Sequence, residues 1–301
     1  MDHLTRLRAA IARGADLGAG VVQTDIEGVS LMAAESPTDP LHSVARPALA
    51  VVAQGAKRTV VGDQVHDYRA GELLIVSIDL PVSAHITDAT RDRPFLAFGL
   101  ELRPAAVAAL LLDGAAEPAT ASSPDGIAVG RASTELLDAI LRLLNALDDP
   151  EEARVLGPGL EREILWRLLI GPQGAVVRQI GLADSRLSHV ARAVGWLRAH
   201  YADSISVDEL ASLAGLSASS FHRHFRAVTT MTPIQYQKRI RLQEARSRLL
   251  DPPVDVASVG FGVGYVSASQ FSREYRRMFG LPPGQDAKRL RRARDELAEP
   301  A

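Results

Sequence analysis

The sequence predicts a two-domain α+β protein. A closed or sandwiched antiparallel sheet with trailing helices comes first, then an all-α domain built on a repeated helix pair. Three observations predict this. Residues from about 20 to 103 alternate apolar and polar between turn signals, the pattern of many short, half-buried strands. Beyond residue 104 the apolar residues recur at three- and four-residue spacing, as on one face of a helix. Finally, Ser217-Ala-Ser-Ser-Phe-His-Arg-His-Phe-Arg226 is echoed by Ser267-Ala-Ser-Gln-Phe-Ser-Arg-Glu-Tyr-Arg276, with six of ten positions identical.

Each element has its own warrant. Leu4, Leu7 and Ile11 stand at helical spacing among Arg6, Arg8 and Arg13, which predicts a short N-terminal surface helix rather than an export signal. Candidate strands are Val29–Ala33, Ala48–Gln54, Arg58–Val61, Gln64–Tyr68, Leu73–Ile78, Val82–Thr87 and Phe95–Leu102, with Gly62-Asp63 as a hairpin turn. Pro104 opens a short helix. Residues 113–130, rich in Ala, Ser, Gly and Pro, read as a loop. Ser133–Leu147 and Gly159–Ile170 are amphipathic, and Glu163 with Arg167 forms an i,i+4 pair on the wet side of the second. That helix carries more leucine and isoleucine than one stripe needs, so it is a candidate dimer interface. Gly171-Pro172-Gln-Gly174 begins a linker running to about 186. The first domain is expected at 1–170 and the second at 187–301.

In the second half, Leu187–Ala202 is the first helix. The first helix pair follows at Val207–Ala214 and Ser217–Val228. Pro233–Leu250 is a long helix, about 27 Å at 1.5 Å per residue. Asp251-Pro252-Pro253 stops it. Val254–Gly260 and Ser267–Phe279 form the second pair, and Pro283–Leu297 closes the chain.

Charge divides the chain at the same place. Residues 1–185 hold 16 Lys/Arg against 25 Asp/Glu, whereas 186–298 hold 18 against 10. A back half of net +8 suits a polyanion. With no cysteine, disulfides and thiolate metal sites are excluded. No apolar run reaches the roughly 18 residues of a membrane span, and a cytoplasmic protein is expected.

The repeated helices carry the chemistry. Ser217 and Ser267 sit where an N-cap belongs. Ser219, His222, Arg223 and Arg226 share the outer face of the first helix. In the second, Ser269, Ser272, Arg273 and Arg276 do so, with Gln270 at the edge. Arg bidentate to guanine, Gln to adenine and Ser to either are the pairings of base reading. Two such helices, held about one turn of duplex apart by the long helix, would enter successive major grooves. Double-stranded DNA is therefore the expected partner.

Residues about 187–297 resemble the DNA-binding domain of the AraC/XylS family of transcriptional regulators. The resemblance rests on Leu210-Ala211, Gly215-Leu216-Ser217 and Phe221-His-Arg-His-Phe225 in the first unit. In the second it rests on Ala257-Ser-Val-Gly260-Phe261, Gly264-Tyr265, Gln270-Phe271-Ser-Arg273 and Phe279-Gly280-Leu-Pro-Pro283. It implies a double helix-turn-helix whose base readers are Ser219, His222 and Arg223, then Ser269, Gln270 and Arg273. Thr230 departs from the glycine that often ends the first of these helices.

Residues about 20–170 resemble the N-terminal domain of AraC-type regulators, on Val51-Val-Ala-Gln-Gly55, Gly71-Glu-Leu-Leu-Ile-Val-Ser-Ile-Asp-Leu-Pro-Val82 and Arg93-Pro94-Phe-Leu-Ala. That implies a cupin-like barrel that senses a small-molecule effector and forms a homodimer. RNA polymerase would be a further partner of an activator. Candidate effector contacts are His66 and His85, both on predicted strands, and Arg58, which either binds an anion or points to solvent. His42, His66 and His85 are widely spaced with no His-x-His pair, so neither a metal nor any other cofactor is expected, and no enzyme activity. The rival readings are a metal-dependent cupin enzyme with a basic appendage, and an architectural DNA binder without a ligand.

Overall fold

The alternating front half folds into two antiparallel sheets. The structure is a computed structural model and describes residues 2–17, 20–114, 126–182, 185–250 and 255–298. Its opening helix is His3–Gly14 (α1), capped by the Asp2 carboxylate, which accepts from Thr5 N at 2.7 Å. The strands follow as Val21–Gln23 (β1), Val29–Ala34 (β2), Leu41–Ala45 (β3), Ala48–Gln54 (β4), Ala56–Val61 (β5), Gln64–Arg69 (β6), Glu72–Val76 (β7), Leu80–Asp88 (β8) and Phe95–Glu101 (β9). After the helix Pro104–Leu112 (α2) comes a tenth strand, Ile127–Arg131 (β10). One sheet has the order β1-β2-β9-β4-β7-β10 and the other β3-β8-β5-β6. The expected seven strands are present. Three more, β1, β3 and β10, were not foreseen.

Strand alternation settles what each face does. In the six-stranded sheet Leu31, Phe98, Val51 and Leu73 stand in one cross-strand row and are fully buried. Helix α1 lies on that sheet, touching β2, β4 and β9, and buries Leu7 and Ile11 completely. The opposite face carries Ser30, Met32, Ala50 and Gly99. In the four-stranded sheet Thr59, Val61, Tyr68 and Ile86 are buried on one face. Arg58, Val65 and Asp67 point the other way and are exposed or partly so. The inner faces meet across the interior, where Lys57 Nζ lies 3.4 Å from Met32 Sδ.

The trailing helices are Thr134–Ala146 (α3), Pro150–Ile170 (α4) and Gly174–Gly181 (α5). Here the structure corrects three expectations. The stretch 113–130 is not all loop: Ile127–Arg131 pairs antiparallel with β7 from Ile127↔Val76 to Arg131↔Glu72. Residues 115–125 of that stretch lie outside the described residues. The helix expected at Gly159–Ile170 begins nine residues earlier. Asp149 caps it through Glu151 N and Glu152 N, Pro150 starts it, and it runs through Pro158. The stretch 171–186 expected to be a linker contains α5, which packs on α2 and α4 and buries Val176, Val177 and Ile180.

Much of the apolar surface of α4 is spent within the protomer, although Val155, Leu156 and Ile170 stay exposed. Ile164, Leu165, Leu168 and Leu169 are all buried, and α3 packs along the helix. Glu161 is also buried, held by Arg103 Nη2 at 2.6 and 2.8 Å. The Glu163–Arg167 pair forms at 3.4 Å, and Glu163 also takes Arg142 at 2.7 Å.

The basic half is helical throughout: Arg186–Ala199 (α6), Val207–Ala214 (α7), Ala218–Thr229 (α8), Pro233–Arg248 (α9), Val256–Gly262 (α10), Ala268–Phe279 (α11) and Pro283–Ala298 (α12). Asp251-Pro252-Pro253 and Val254 lie outside the described residues. By compactness the chain divides into residues 1–191 with 223–230, and residues 192–222 with 231–301. The cut therefore falls inside α6 and α8, not at the glycine-rich stretch.

Capping residues fix the ends of these helices. Ser206 with Glu209 and Thr232 with Gln235 make full capping boxes on α7 and α9. Asp255 caps α10 and Ser267 caps α11. The core of the second helix pair is Leu242, Leu249, Val259, Val263, Phe271 and Tyr275. Gly260 lets α10 and α11 approach closely, since a Cβ there would stand 2.8 Å from the Phe271 ring.

Candidate nucleic-acid interface

The two repeated helices are built alike from their first residue. Ser217 Oγ accepts from Ser220 N at 3.4 Å, and Ser267 Oγ from Gln270 N at 3.3 Å. Each capping serine also meets the hydroxyl two residues on, Ser219 at 3.4 Å and Ser269 at 2.9 Å. A side-chain oxygen at this position satisfies an otherwise unpaired first-turn amide, so both helices start in the same register relative to their reading faces.

Their inner faces are aromatic. Phe221 and Phe225 in α8, and Phe271 and Tyr275 in α11, are fully buried. Tyr275 is anchored further, its hydroxyl donating to Asp286 Oδ2 at 3.0 Å. Asp286 is itself fully buried and held by Arg246 at 2.8 and 3.2 Å. Burial, the Asp286 charge and this hydrogen bond push the Tyr275 phenol far above its ordinary value, so it stays a neutral donor. Rings rooted this way leave the opposite face no freedom to roll.

That opposite face is open. Ser219, His222, Arg223 and Arg226 are exposed on α8, and Ser269, Arg273 and Arg276 are exposed on α11. Ser272 and Gln270 are partly exposed. The nine residues expected to read DNA thus lie on the two outward faces. His224 is turned away from them and partly buried. Burial first, then the nearby Arg186, Arg223 and His189, lowers its imidazole below the ordinary value.

A network that the sequence reading missed supports Gln270. Its Nε2 donates to Glu274 Oε1 at 3.4 Å. Lys238 Nζ donates to the same oxygen at 3.0 Å, and Tyr265 OH donates to Oε2 at 3.0 Å. These groups line a groove of about 620 Å³ beside the N-terminal half of α11. The i,i+4 spacing of Gln270 and Glu274 was the available signal; the two partners from other elements were not visible without the fold.

The effector candidates in the barrel separate. Arg58 lies on the outer face of β5 and is engaged by Asp67 through two bonds, Nε–Oδ1 2.6 Å and Nη2–Oδ2 2.8 Å. His85 is its cross-strand neighbour on that outer face. His66 is cross-strand from Thr59 and so faces inward. Among the described residues no three His, Cys, Asp or Glu are grouped to hold a metal ion, and no helix is long and apolar enough to cross a membrane. The inward charged residue the sequence reading passed over is Lys57.

Comparisons with known proteins agree with this geometry. Residues 25–176 match the family model of the AraC-type transcriptional regulator N-terminus, and residues 210–289 match a helix-turn-helix domain. The HTH-type transcriptional activator RhaS of Escherichia fergusonii is 28% identical over 167 residues, 55% of this chain and 58% of that protein. RhaS from Escherichia coli O1:K1 matches to the same extent. The chain therefore spans little more than half the length of these curated relatives. Among solved structures, an apo single-substitution variant of ToxT from Vibrio cholerae strain SCE256 superposes with a TM-score of 0.55 at 6% identity, covering 88% of this chain and 98% of that one. Unsaturated fatty acid bound wild-type ToxT from the same strain gives 0.54 at 7%, covering 91% and 96%. At such identity the likeness is one of fold alone.

Proposed function

Because the chain belongs to the AraC-type transcriptional regulators, we propose that it binds double-stranded DNA sequence-specifically and regulates transcription under the control of a small-molecule effector. One observation carries the reading. Two helices, identically capped by Ser217 and Ser267 and rooted by buried aromatics, present matched faces of Ser and Arg. A solvated face needs no such duplication; a ligand that repeats along its axis does. The surplus of basic residues in 186–298 supplies the phosphate contacts.

On this reading the nine outward residues make the contacts, with Arg223 and Arg273 as the central base readers. Ser219, His222, Ser269 and Gln270 flank them, and Arg226, Ser272 and Arg276 stand at the edges. One protomer carries both helices, so DNA contact needs no second copy. A homodimer belongs to the proposal on the family resemblance, through a surface other than Ile164 and Leu168, which are buried in the protomer. RNA polymerase is a partner if the regulator activates. No catalytic role is proposed.

The test is selection of DNA fragments from a random pool by the purified full chain. We expect one enriched site with two determinants about 10 bp apart. The affinity for it should fall steeply with salt, with a log–log slope on the order of −5. Absence of enrichment, or a slope near zero, would overturn the reading.

A further inference from the structure

We propose that Arg241 is a positioning residue for DNA recognition: its guanidinium fixes the angle at which the second helix pair leaves α9, and so sets the operator spacing the protein accepts. The proposal rests on reading the two repeated helices as DNA readers and adds the residue that keeps them in phase.

The first observation is what Arg241 joins. It stands midway along α9 and is partly buried. Its Nε donates to Tyr201 O at 2.6 Å, and its Nη2 to Ala202 O at 3.2 Å and Asp203 O at 2.9 Å. These carbonyls belong to the turn after α6, where the helical ladder has ended and a cation is favoured. Its Nη1 donates to Gly264 O at 2.9 Å. Gly264 stands in the turn of the second helix pair, between α10 and α11. One planar fork thus ties the lead-in of the first pair to the turn of the second. Gln237, one helical turn earlier, holds the Tyr201 and Asp203 carbonyls at 3.2 and 2.7 Å. That seat is a pivot, which Arg241 makes a fixed joint by reaching Gly264 as well.

The second observation is that the first copy holds its turn in a simpler way. Ala214 and Gly264 each stand three residues before the serine that caps the reading helix. Ala214 O accepts from Arg192 Nη2, on α6, at 2.9 Å. In both copies, then, an arginine from the helix before the pair holds the turn carbonyl. The reach of Arg241 to residues 201–203 is the addition, and it runs between the two pairs. Backbone geometry marks the same junction. Gly264 has φ of 92°, and a Cβ there would stand 2.2 Å from Ala202 O. The turn therefore meets the lead-in backbone directly, an approach that needs glycine.

The third observation is that α11 is rooted by other means. Lys238 of α9 meets Glu274 at 3.0 Å. Arg246 of α9 meets buried Asp286 at 2.8 Å, and Asp286 also accepts from Tyr275 of α11. Removing the Arg241 fork leaves these contacts, so α11 can still read its own bases. What is lost is the brace between the pairs. Duplex DNA makes that brace matter. Each added base pair moves the second determinant about 3.4 Å along the axis and about a tenth of a turn around it.

The experiment uses the full chain and the DNA site enriched from the random pool, with two base pairs inserted or removed between its two determinants. Affinity is read by fluorescence anisotropy. For the wild type, each change of spacing should cost at least about tenfold, because one reader loses its bases. Arg241→Met should bring that penalty below about threefold. On a site whose first determinant is scrambled, the same variant should bind within about threefold of the wild type. Arg241→Lys keeps the charge but not the fork, and should loosen spacing as Arg241→Met does. Arg192→Met should keep the wild-type penalty, since Arg192 holds one turn and not the junction. A wild type indifferent to spacing would overturn the proposal, as would Arg241 variants that keep the full penalty. So would an Arg192→Met as loose as Arg241→Met. Uniform weakening with a shallower salt slope, restored by lysine, would make Arg241 a phosphate contact instead. If neither Arg241 variant folds by circular dichroism, Arg241 is a folding residue and the positioning role is lost. Failure to enrich any site overturns the regulator reading, whereas specific binding with loose spacing in the wild type sinks this inference alone.

Discussion

Thr230 and Gly280 hold the same place in the two copies and adopt the same left-handed backbone, with φ of 61° and 81°. Thr230 N donates to Arg226 O at 2.9 Å, and Gly280 N to Arg276 O at 2.8 Å. Both close the reading helix by satisfying a terminal carbonyl. The threonine in place of glycine therefore does not alter the cap. It adds strain, because a β-branched residue at positive φ is a steric outlier. Thr230 offsets part of it through its hydroxyl, which donates to Val61 O at 3.1 Å.

Swapping these residues should be asymmetric. No atom lies within 4 Å of a Cβ built on Gly280, so Gly280→Thr should cost about 1–2 kcal/mol from backbone strain alone. Thr230→Gly relieves similar strain but loses the hydroxyl bond, so its gain should be well under 1 kcal/mol. Chemical denaturation followed by helical circular dichroism checks this. Equal and opposite effects would show that the Thr230 hydroxyl contributes nothing.

Arg223→Ala and Arg273→Ala should act on different parts of one DNA site. Each is expected to cost roughly 1–3 kcal/mol on the preferred sequence and to relax base preference locally. The two affected positions should lie about 10 bp apart. Repeating the selection with each variant measures it. A uniform loss across all sequences would make these arginines phosphate contacts instead.

Glu274 should act on DNA through Gln270. Holding one N–H of the amide leaves the other N–H and the carbonyl oxygen free, the pair adenine needs. Burial alone would raise the Glu274 pKa, but hydrogen bonds from Lys238, Tyr265 and Gln270 outweigh it and lower the carboxyl below 4.5. Its stabilising contribution is thus complete above that ordinary value and lost as pH falls through the lowered one. Glu274→Gln should leave overall affinity within about threefold and broaden preference only at the base read by Gln270. If Gln270→Ala and Glu274→Gln relax different positions, the coupling is absent.

Lys57→Met should make the unliganded protein more stable at pH 7. The folded-state amine is lowered from 10.5 by desolvation. Below that folded value the wild type carries the full penalty of enclosing its charge. The penalty shrinks as pH rises and is gone above 10.5, where the unfolded amine is neutral too. Tyr68, facing Lys57 and pushed up to about 12 by burial, stays neutral in the folded protein throughout this range. Thermal midpoints of both proteins from pH 7.5 to 10.5 should converge. A wild type more stable than the variant at pH 7.5 without ligand would show that Lys57 is compensated by other means.

Much of this protein was legible in its sequence because the signals are local. The Ser217 and Ser267 caps, the Gly280 stop and the aromatic-in, arginine-out pattern depend only on 3.6-residue periodicity and first-turn chemistry. They placed the nine candidate residues on the faces of α8 and α11 opposite the buried aromatics. Strand alternation likewise separated Lys57 from Arg58. What alternation cannot decide is which face is inside, since that depends on the partner strand and the facing sheet. The sequence reading weighed Arg58 and passed over Lys57; the register of β5 with β6 and β8, and the contact with Met32, put Lys57 in the interior. Strand β10 was hidden because its five residues follow a loop-like composition and gain strand character only by pairing with β7. The first half of α4 was hidden by Gly157-Pro158-Gly159, whose low helix propensity is overridden by the Asp149 cap and by packing on α3. And the apolar face of α4, which by composition could equally serve a partner, is claimed by the protomer's own core. Local chemistry is written along the chain, whereas burial is a property of what the rest of the chain brings to the same place.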